Sequence, residues 1–384
     1  MNNQDLYCER RKRIECSFQH KEPDRVPIMA NVETWAMFYS GKKSMEVMGN
    51  PKAEFACFDK VFRDFWFDST FISFLTHDVN IHQSLGGEQF FYSSDGVSIQ
   101  YKDHSFMKET EYLDFIKDPL KYTMNVEFSR RFPKLNQPYP ENYKSLKQAF
   151  DFYQSFIRKA TMAEEYYKSS VGMPIMTQGT ATMPVDYFHD YYRGMDKIMI
   201  DIRRRPEEII EAAEALVPIV LNQITRGQSK VEPFPFVFFP LHLPTYISRK
   251  HFEKIYYPSF MKVLQGLNDA GGKALIALEG NWEHLYDFVN DIPKNFAACV
   301  VDDCDIIRAK KEIGDNVTLI GGLPTSLLRY GTKEECIDFA KKLIDDCAPG
   351  GGFMITTTRL LLAPNDVNVD NMRAVNEFIH EYCY

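Results

Sequence analysis

The 384-residue chain has no apolar run approaching the ~20 residues that span a bilayer. Its start, Met1-Asn-Asn-Gln-Asp-Leu-Tyr-Cys-Glu-Arg-Arg-Lys-Arg13, is charged and has no apolar segment behind it, so no secretory leader is expected. Positive charge is also lacking: 45 Lys and Arg stand against 53 Asp and Glu, a net charge of −8, and this excludes a basic nucleic-acid binder. No GxGxxG or GxxxxGK[ST] loop follows any strand candidate, which argues against nucleotide-binding folds. The eight cysteines (8, 16, 57, 299, 304, 336, 347 and 383) include no CxxC pair and form no dense framework. Such scattered cysteines imply reduced, mostly buried thiols and a cytoplasmic location.

What is present is an ordinary globular composition, 45% apolar and 26% charged, with an aromatic content of 14%. After residue 170, short apolar runs recur at Met173–Thr177, Pro235–His242, Ala274–Gly280, Phe296–Asp302, Val317–Leu323 and Gly352–Thr358. They do not alternate, as expected of parallel strands covered on both faces. Helical spacing fills the intervals. Pro206, Glu207 and Glu208 open one helix, Ser248 caps a second that ends at Gly271-Gly272, and a third spans Lys333–Asp346. With Arg25–Ala30 as an earlier strand, the pattern predicts an α/β fold, a single (β/α)8 TIM barrel. An N-terminal helical and small β elaboration is expected, with a hairpin strand at Tyr92–Tyr101. Residues 1–384 read as one domain, residues about 60–170 forming insertions at the barrel mouth and residues 131–145 a surface loop.

Barrel chemistry is built at the C-terminal ends of strands. Three such ends carry His242, Glu279 and Asp302. Together they could act as an acid/base set or hold a divalent metal, Zn²⁺ suiting an imidazole and two carboxylates. The same three are therefore the candidate catalytic and metal-binding residues; no cofactor-binding residue is assigned. Asp305 reads as a helix cap, Cys299 and Cys304 as buried thiols. His77, His82 and His104 show no ligand spacing and read as loop or surface residues. Some of the aromatics are expected to line a pocket for a flat or apolar ligand.

Several segments resemble the uroporphyrinogen decarboxylase superfamily. The opening His20-Lys-Glu-Pro-Asp-Arg-Val-Pro-Ile28 is similar to its approach to the first strand. Asp190-Tyr-Tyr-Arg-Gly-Met-Asp-Lys-Ile-Met-Ile-Asp201, followed by Arg205-Pro-Glu, is similar to its mid-barrel helix motif. Gly321-Gly-Leu-Pro-Thr-Ser-Leu-Leu328, Gly331-Thr332, Gly351-Gly-Phe353 and Asp370-Asn371 resemble its last strands and helices. The resemblance implies a cytoplasmic α/β barrel.

Within that superfamily, the true decarboxylases carry an Arg-Gln-Ala-Gly-Arg stretch that meets the substrate's carboxylates. The corresponding Pro27-Ile-Met-Ala-Asn-Val-Glu-Thr-Trp-Ala-Met-Phe38 has no Arg. Methyltransferases of the methylamine and methanol pathways bind zinc with His-x-Cys-Gly and a later Cys. Here those positions read Ala277-Leu-Glu-Gly280 and a segment near Leu360. Leu278-Glu-Gly-Asn-Trp282, Pro240-Leu-His-Leu-Pro244 and Phe252-Glu-Lys-Ile-Tyr-Tyr-Pro258 instead look like the corrinoid-dependent, ether-cleaving methyltransferases of anaerobic O-demethylase systems. That likeness implies a small methoxylated substrate and a corrinoid carried by a partner protein. Uroporphyrinogen decarboxylation, and a non-catalytic barrel that binds a corrinoid protein, are the alternatives.

Overall fold

The computed structural model describes residues 2–382. The strands are β1 (Met29–Ala30), β2 (Ser69–Thr70), β3 (Phe90–Tyr92), β4 (Ile99–Tyr101), β5 (Thr177–Thr180), β6 (Phe236–Leu241), β7 (Ala274–Leu278), β8 (Ala297–Val301), β9 (Thr318–Leu323) and β10 (Phe353–Thr357). Six form one parallel sheet in the order β10-β9-β8-β7-β6-β5, and β1 pairs in parallel with β2. Isolated parallel bridges, Ile28 with Ile355, Val32 with Leu361 and Thr70 with Ile175, link the short pair to both edge strands of the sheet. The regular ladder therefore covers six strands rather than the eight expected. β1 and β2 carry only two residues each, and just before β1 the Ile28 N–H goes to the Asp68 carboxylate.

From β6 onward the apolar runs become strands with ends trimmed by one or two residues. Leu275, Ile276, Ala298, Cys299, Leu319 and Ile320 are fully buried, as parallel strands sandwiched between layers must be. The first run behaves differently. Met173–Thr177 holds a single isolated bridge, at Ile175, and β5 starts only at Thr177. The predicted helices stand at Pro206–Thr225 and Lys333–Cys347, and Ser248 caps Arg249–His251 through His251 N–H. Asp305 caps Ile306–Glu312 by accepting from Ile307 and Arg308.

The early region holds the antiparallel hairpin β3–β4. It also contains a 31-residue helix, Glu141–Val171, that begins inside the segment expected to be a loop. Among the described residues no helix is long and apolar enough to cross a membrane.

The long helix is anchored by an enclosed ion pair. Lys159 Nζ lies 2.9 Å from Glu54 Oε1, and both side chains are buried. Glu54 also accepts the Leu75 N–H at 2.6 Å. Lys159→Met strands a carboxylate without its counter-charge and is expected to cost about 3 kcal/mol in urea unfolding. Adding Glu54→Gln should recover part of that loss, because Gln still accepts from Leu75 N–H while removing the charge.

Candidate functional site

The strand ends after β6 and β7 bring His242 and Glu279 together, with His242 Nε2 3.6 Å from Glu279 Oε1. The other imidazole nitrogen faces a carboxylate that the strand-end argument did not select. His242 Nδ1 lies 2.9 and 3.0 Å from the two oxygens of Asp190, and His189 Nδ1 lies 2.6 Å from Asp190 Oδ1. Asp190 and His189 come from the π-helical turn Phe188–Arg193 that follows β5. Such widened turns displace a side chain from the regular helical face, and they recur at functional sites. Asp302 stands one strand beyond Glu279. Its Oδ2 accepts the Gly280 N–H at 3.1 Å, and its Oδ1 is 3.7 Å from Arg359 Nε.

The backbone around these groups is tightly held. The Glu279 carbonyl accepts from Thr245 Oγ1 at 3.2 Å and from the indole N–H of buried Trp282 at 3.1 Å. Gly280 turns the chain at φ +77°, and a Cβ there would meet Thr245 Oγ1 at 2.8 Å. Behind His242, fully buried Asp186 accepts Leu243 N–H at 3.0 Å and the Tyr256 hydroxyl at 2.6 Å. The hairpin reaches across the same turn, Tyr101 Oη and Gln89 Nε2 both donating to the Asp190 carbonyl. At the end of β1, Glu33 accepts from the backbone and hydroxyl of Thr76, whose side chain lies 3.0 Å from His77 Nδ1. The ring of His77 stacks on Phe90 at 4.3 Å.

Charge is distributed unevenly over this cluster. Burial alone would lower the His242 pKa, but the hydrogen bond and charge of Asp190, reinforced by Glu279 and Asp186, outweigh it and hold the imidazole at about 10. The ring is therefore imidazolium at neutral pH. Burial pushes Glu279 the other way for an acid, up to about 7; His242 opposes the rise while Asp186, Asp302 and Asp190 add to it. The Glu279 side chain still keeps 45% of its surface accessible, so the carboxyl is reachable. Burial likewise raises Asp186 and Asp302, while hydrogen bonds from His189 and His242 overcome burial at Asp190 and keep it ionised. Carboxyl groups with separated protonation behaviour thus flank one protonated imidazole.

The same groups could hold a metal. His189, Asp190 and His242 each offer a ligand atom, all within 4.8 Å of one another. Two imidazoles and a carboxylate fit Zn²⁺ by donor chemistry. This set shares only His242 with the trio read from strand ends. Asp190 opens a motif that the family resemblance already included, His189 stands just before it, and the Asp186-x-x-His189-Asp190 spacing was the available clue to their shared face. His77 is an exposed loop residue, as expected, and lies within electrostatic reach of His242 and Asp190.

Asp190→Asn removes the charge that holds the His242 proton. In chelator-treated protein, NMR titration should show the imidazole pKa falling well below about 10, since burial is then opposed only by the charges of Glu279 and Asp186. The raised pKa contributes stability fully present below pH 6.5 and lost as pH rises through about 10, and the variant should lose that dependence.

No curated protein matches the chain. Among solved structures it is similar to a methyltransferase from Methanosarcina mazei, with a TM-score of 0.65 at 13% identity over 97% of this chain and 98% of that one. That likeness establishes a shared fold. In sequence, residues 112–382, well over half of the chain, match the family uroporphyrinogen decarboxylase (URO-D), and the chain belongs to that family.

Proposed function

We propose that the chain is a methyltransferase of closed (β/α)8 barrel architecture. In this reading it moves a methyl group from a small methoxylated aromatic compound to the cobalt of a corrinoid carried by a partner protein. The observation that carries the reading is the Asp190–His242–Glu279 series, two strand-end residues met by one from the π-helical turn, a protonated imidazole beside a reachable carboxyl that titrates near neutrality. Attack of reduced cobalt on the methyl carbon breaks the methyl C–O bond, and its electron pair stays on oxygen. The phenolate leaves as a poor leaving group unless its charge is met. Glu279 in its acid form delivers a proton to that oxygen, and His242, fixed through Nδ1 by Asp190, stabilises the developing negative charge. With Zn²⁺ held instead by His189, Asp190 and His242, the imidazoles would be neutral and the metal would replace the imidazolium as the Lewis acid at that oxygen. Phe90 and Tyr101 on the hairpin supply aromatic surface beside the cluster.

The name of the Methanosarcina mazei protein agrees with this reading. The end of β1 speaks against decarboxylation of a polycarboxylate: it presents the carboxylate of Glu33 where cationic partners would be needed. The test mixes purified protein with a panel of methoxyarenes and a protein carrying reduced corrinoid. Equal amounts of phenol and methylated corrinoid, followed by absorbance, are expected. No spectral change across the panel would sink the proposal, and coproporphyrinogen formed from uroporphyrinogen would replace it with decarboxylation.

A further inference from the structure

A second concavity, of about 710 Å³, falls within the size range of small-ligand sites. None of its lining residues belongs to the His242 cluster, although Arg193 ends the turn that carries His189 and Asp190. One wall is the loop Ser105–Glu109, which follows β4, and another is the helix Gly194–Arg204. The loop is fixed in place. Phe106 and Met107 N–H both donate to the Tyr192 carbonyl, at 2.9 and 2.8 Å, and their own carbonyls accept from Arg130 and Arg193.

Six cations line the cleft, Lys108, Arg130, Arg193, Lys197, Arg204 and Arg205, against two acids, Glu109 and Asp201. In a chain of net charge −8 this is a local reversal of sign. Three of the cations are already matched. Buried Arg193 holds Asp201, Arg130 grips both oxygens of Glu111 at 2.8 Å, and Arg205 lies 3.1 Å from Glu208. Among the described residues, no carboxylate lies within 4.0 Å of the Lys108, Lys197 or Arg204 charge. The helix explains this excess. Arg193, Lys197, Ile200, Asp201 and Arg204 follow one another at 4, 3, 1 and 3 residues and so share one face. Asp201 stands where a carboxylate would pair with Lys197 or Arg204. Both its oxygens are instead turned inward, to Arg193 and the Tyr112 hydroxyl. Glu109 feels the resulting field: its carboxyl is lowered by its own backbone N–H and by the charges of Arg193, Arg205 and Lys197.

We infer that this cleft binds a compound carrying two or more linked phosphate groups. The unspent cations decide the class. The planar forks of Arg130 and Arg205, which suit a flat carboxylate, already grip carboxylates of the chain itself. What remains is mostly ammonium, a point charge that meets a phosphoryl oxygen from any direction. Lys197 and Arg204 stand seven residues apart, about 10 Å along the helix, too far to converge on a single phosphate through one turn. Exposed Ile200 between them offers apolar surface to an organic body.

Isothermal titration calorimetry of the full chain at low salt tests this, with inorganic pyrophosphate, ADP and sulfate as probes. Pyrophosphate and ADP are expected to saturate one site per chain, with sulfate about tenfold weaker or more. Saturation by either supports the inference, and their order shows whether an organic body gains from Ile200. Lys197→Glu and Arg204→Glu, both at exposed positions, should each weaken binding by about tenfold or more while the circular dichroism spectrum is retained. Glu109→Gln removes the resident negative charge and should tighten binding by about threefold. Lys12→Glu makes the same charge change on the helix Asn3–Phe18 and should alter affinity by less than about twofold. No saturable heat from pyrophosphate or ADP overturns the inference. So does binding indifferent to both cleft substitutions, or weakened equally by Lys12→Glu.

Discussion

Glu279→Gln is expected to slow the proposed methyl transfer by about 10²–10⁴-fold, the usual worth of a positioned proton donor. Gln keeps the size and one acceptor oxygen of Glu279, and the Thr245 and Trp282 hydrogen bonds go to the backbone carbonyl, so the loop should hold. The loss should fall on the rate constant with little change in apparent substrate affinity, because the proton is delivered only as the C–O bond breaks. The parent has a second signature. With the carboxyl raised to about 7, the acid form dominates below that pH and is lost above it. The rate should therefore fall by about tenfold per pH unit on the alkaline side, and the Gln variant should lose that limb. Substrates with better leaving phenols should suffer less from the substitution, because a weakly basic oxygen needs less help from a proton. An equal loss for all leaving groups would remove Glu279 from the proton-transfer step.

Asp68→Ala is expected to lower stability by about 5 kcal/mol, the upper end for breaking an enclosed ion pair. Asp68 is wholly buried just before β2 and holds two guanidinium groups at once. Arg13 lies at 2.6 Å, and Arg25 lies at 2.7 and 2.9 Å across both oxygens. It also accepts the Ile28 N–H at 2.8 Å. Removing it leaves Arg25 without its carboxylate, leaves Arg13 with Asp24 as its remaining partner, and frees the segment that leads into β1. Arg13 belongs to the first helix, Asn3–Phe18, so the loss should loosen the contact between that helix and the first two strands. Urea denaturation with hydrogen exchange on residues 25–30 and 68–71 checks both parts. A change under about 1 kcal/mol would show that solvent reaches the pocket and screens the pair.

How far the sequence could be read depended on how local each cause was. Parallel strands surrounded by apolar neighbours leave an unbroken apolar run, so β6 through β10 were legible to within a residue or two. The caps at Ser248 and Asp305 were legible because one side chain meets an N–H three residues or fewer away. β1 and β2 were poorly legible because each pairs through only two residues and Asp68, a distant polar group, organises the segment. The long helix hid behind Pro138 and Pro140, which read as loop residues although the helix begins directly after them.

The site divides in the same way. Polar residues at strand ends are a local signal, and by itself the sequence determined the α/β class, the family kinship and the candidacy of His242 and Glu279. Only the tertiary structure decided that Asp190 and His189 stand against His242. They lie 52 and 53 positions upstream on a π-helical turn, and a hydrogen bond of 3 Å between them depends on how β5 and β6 lie side by side. It also decided which carboxyl stays ionised and which keeps its proton near neutrality. That partition reflects the distances among five charged groups and the wall that shields them, neither of which is written in the order of the residues.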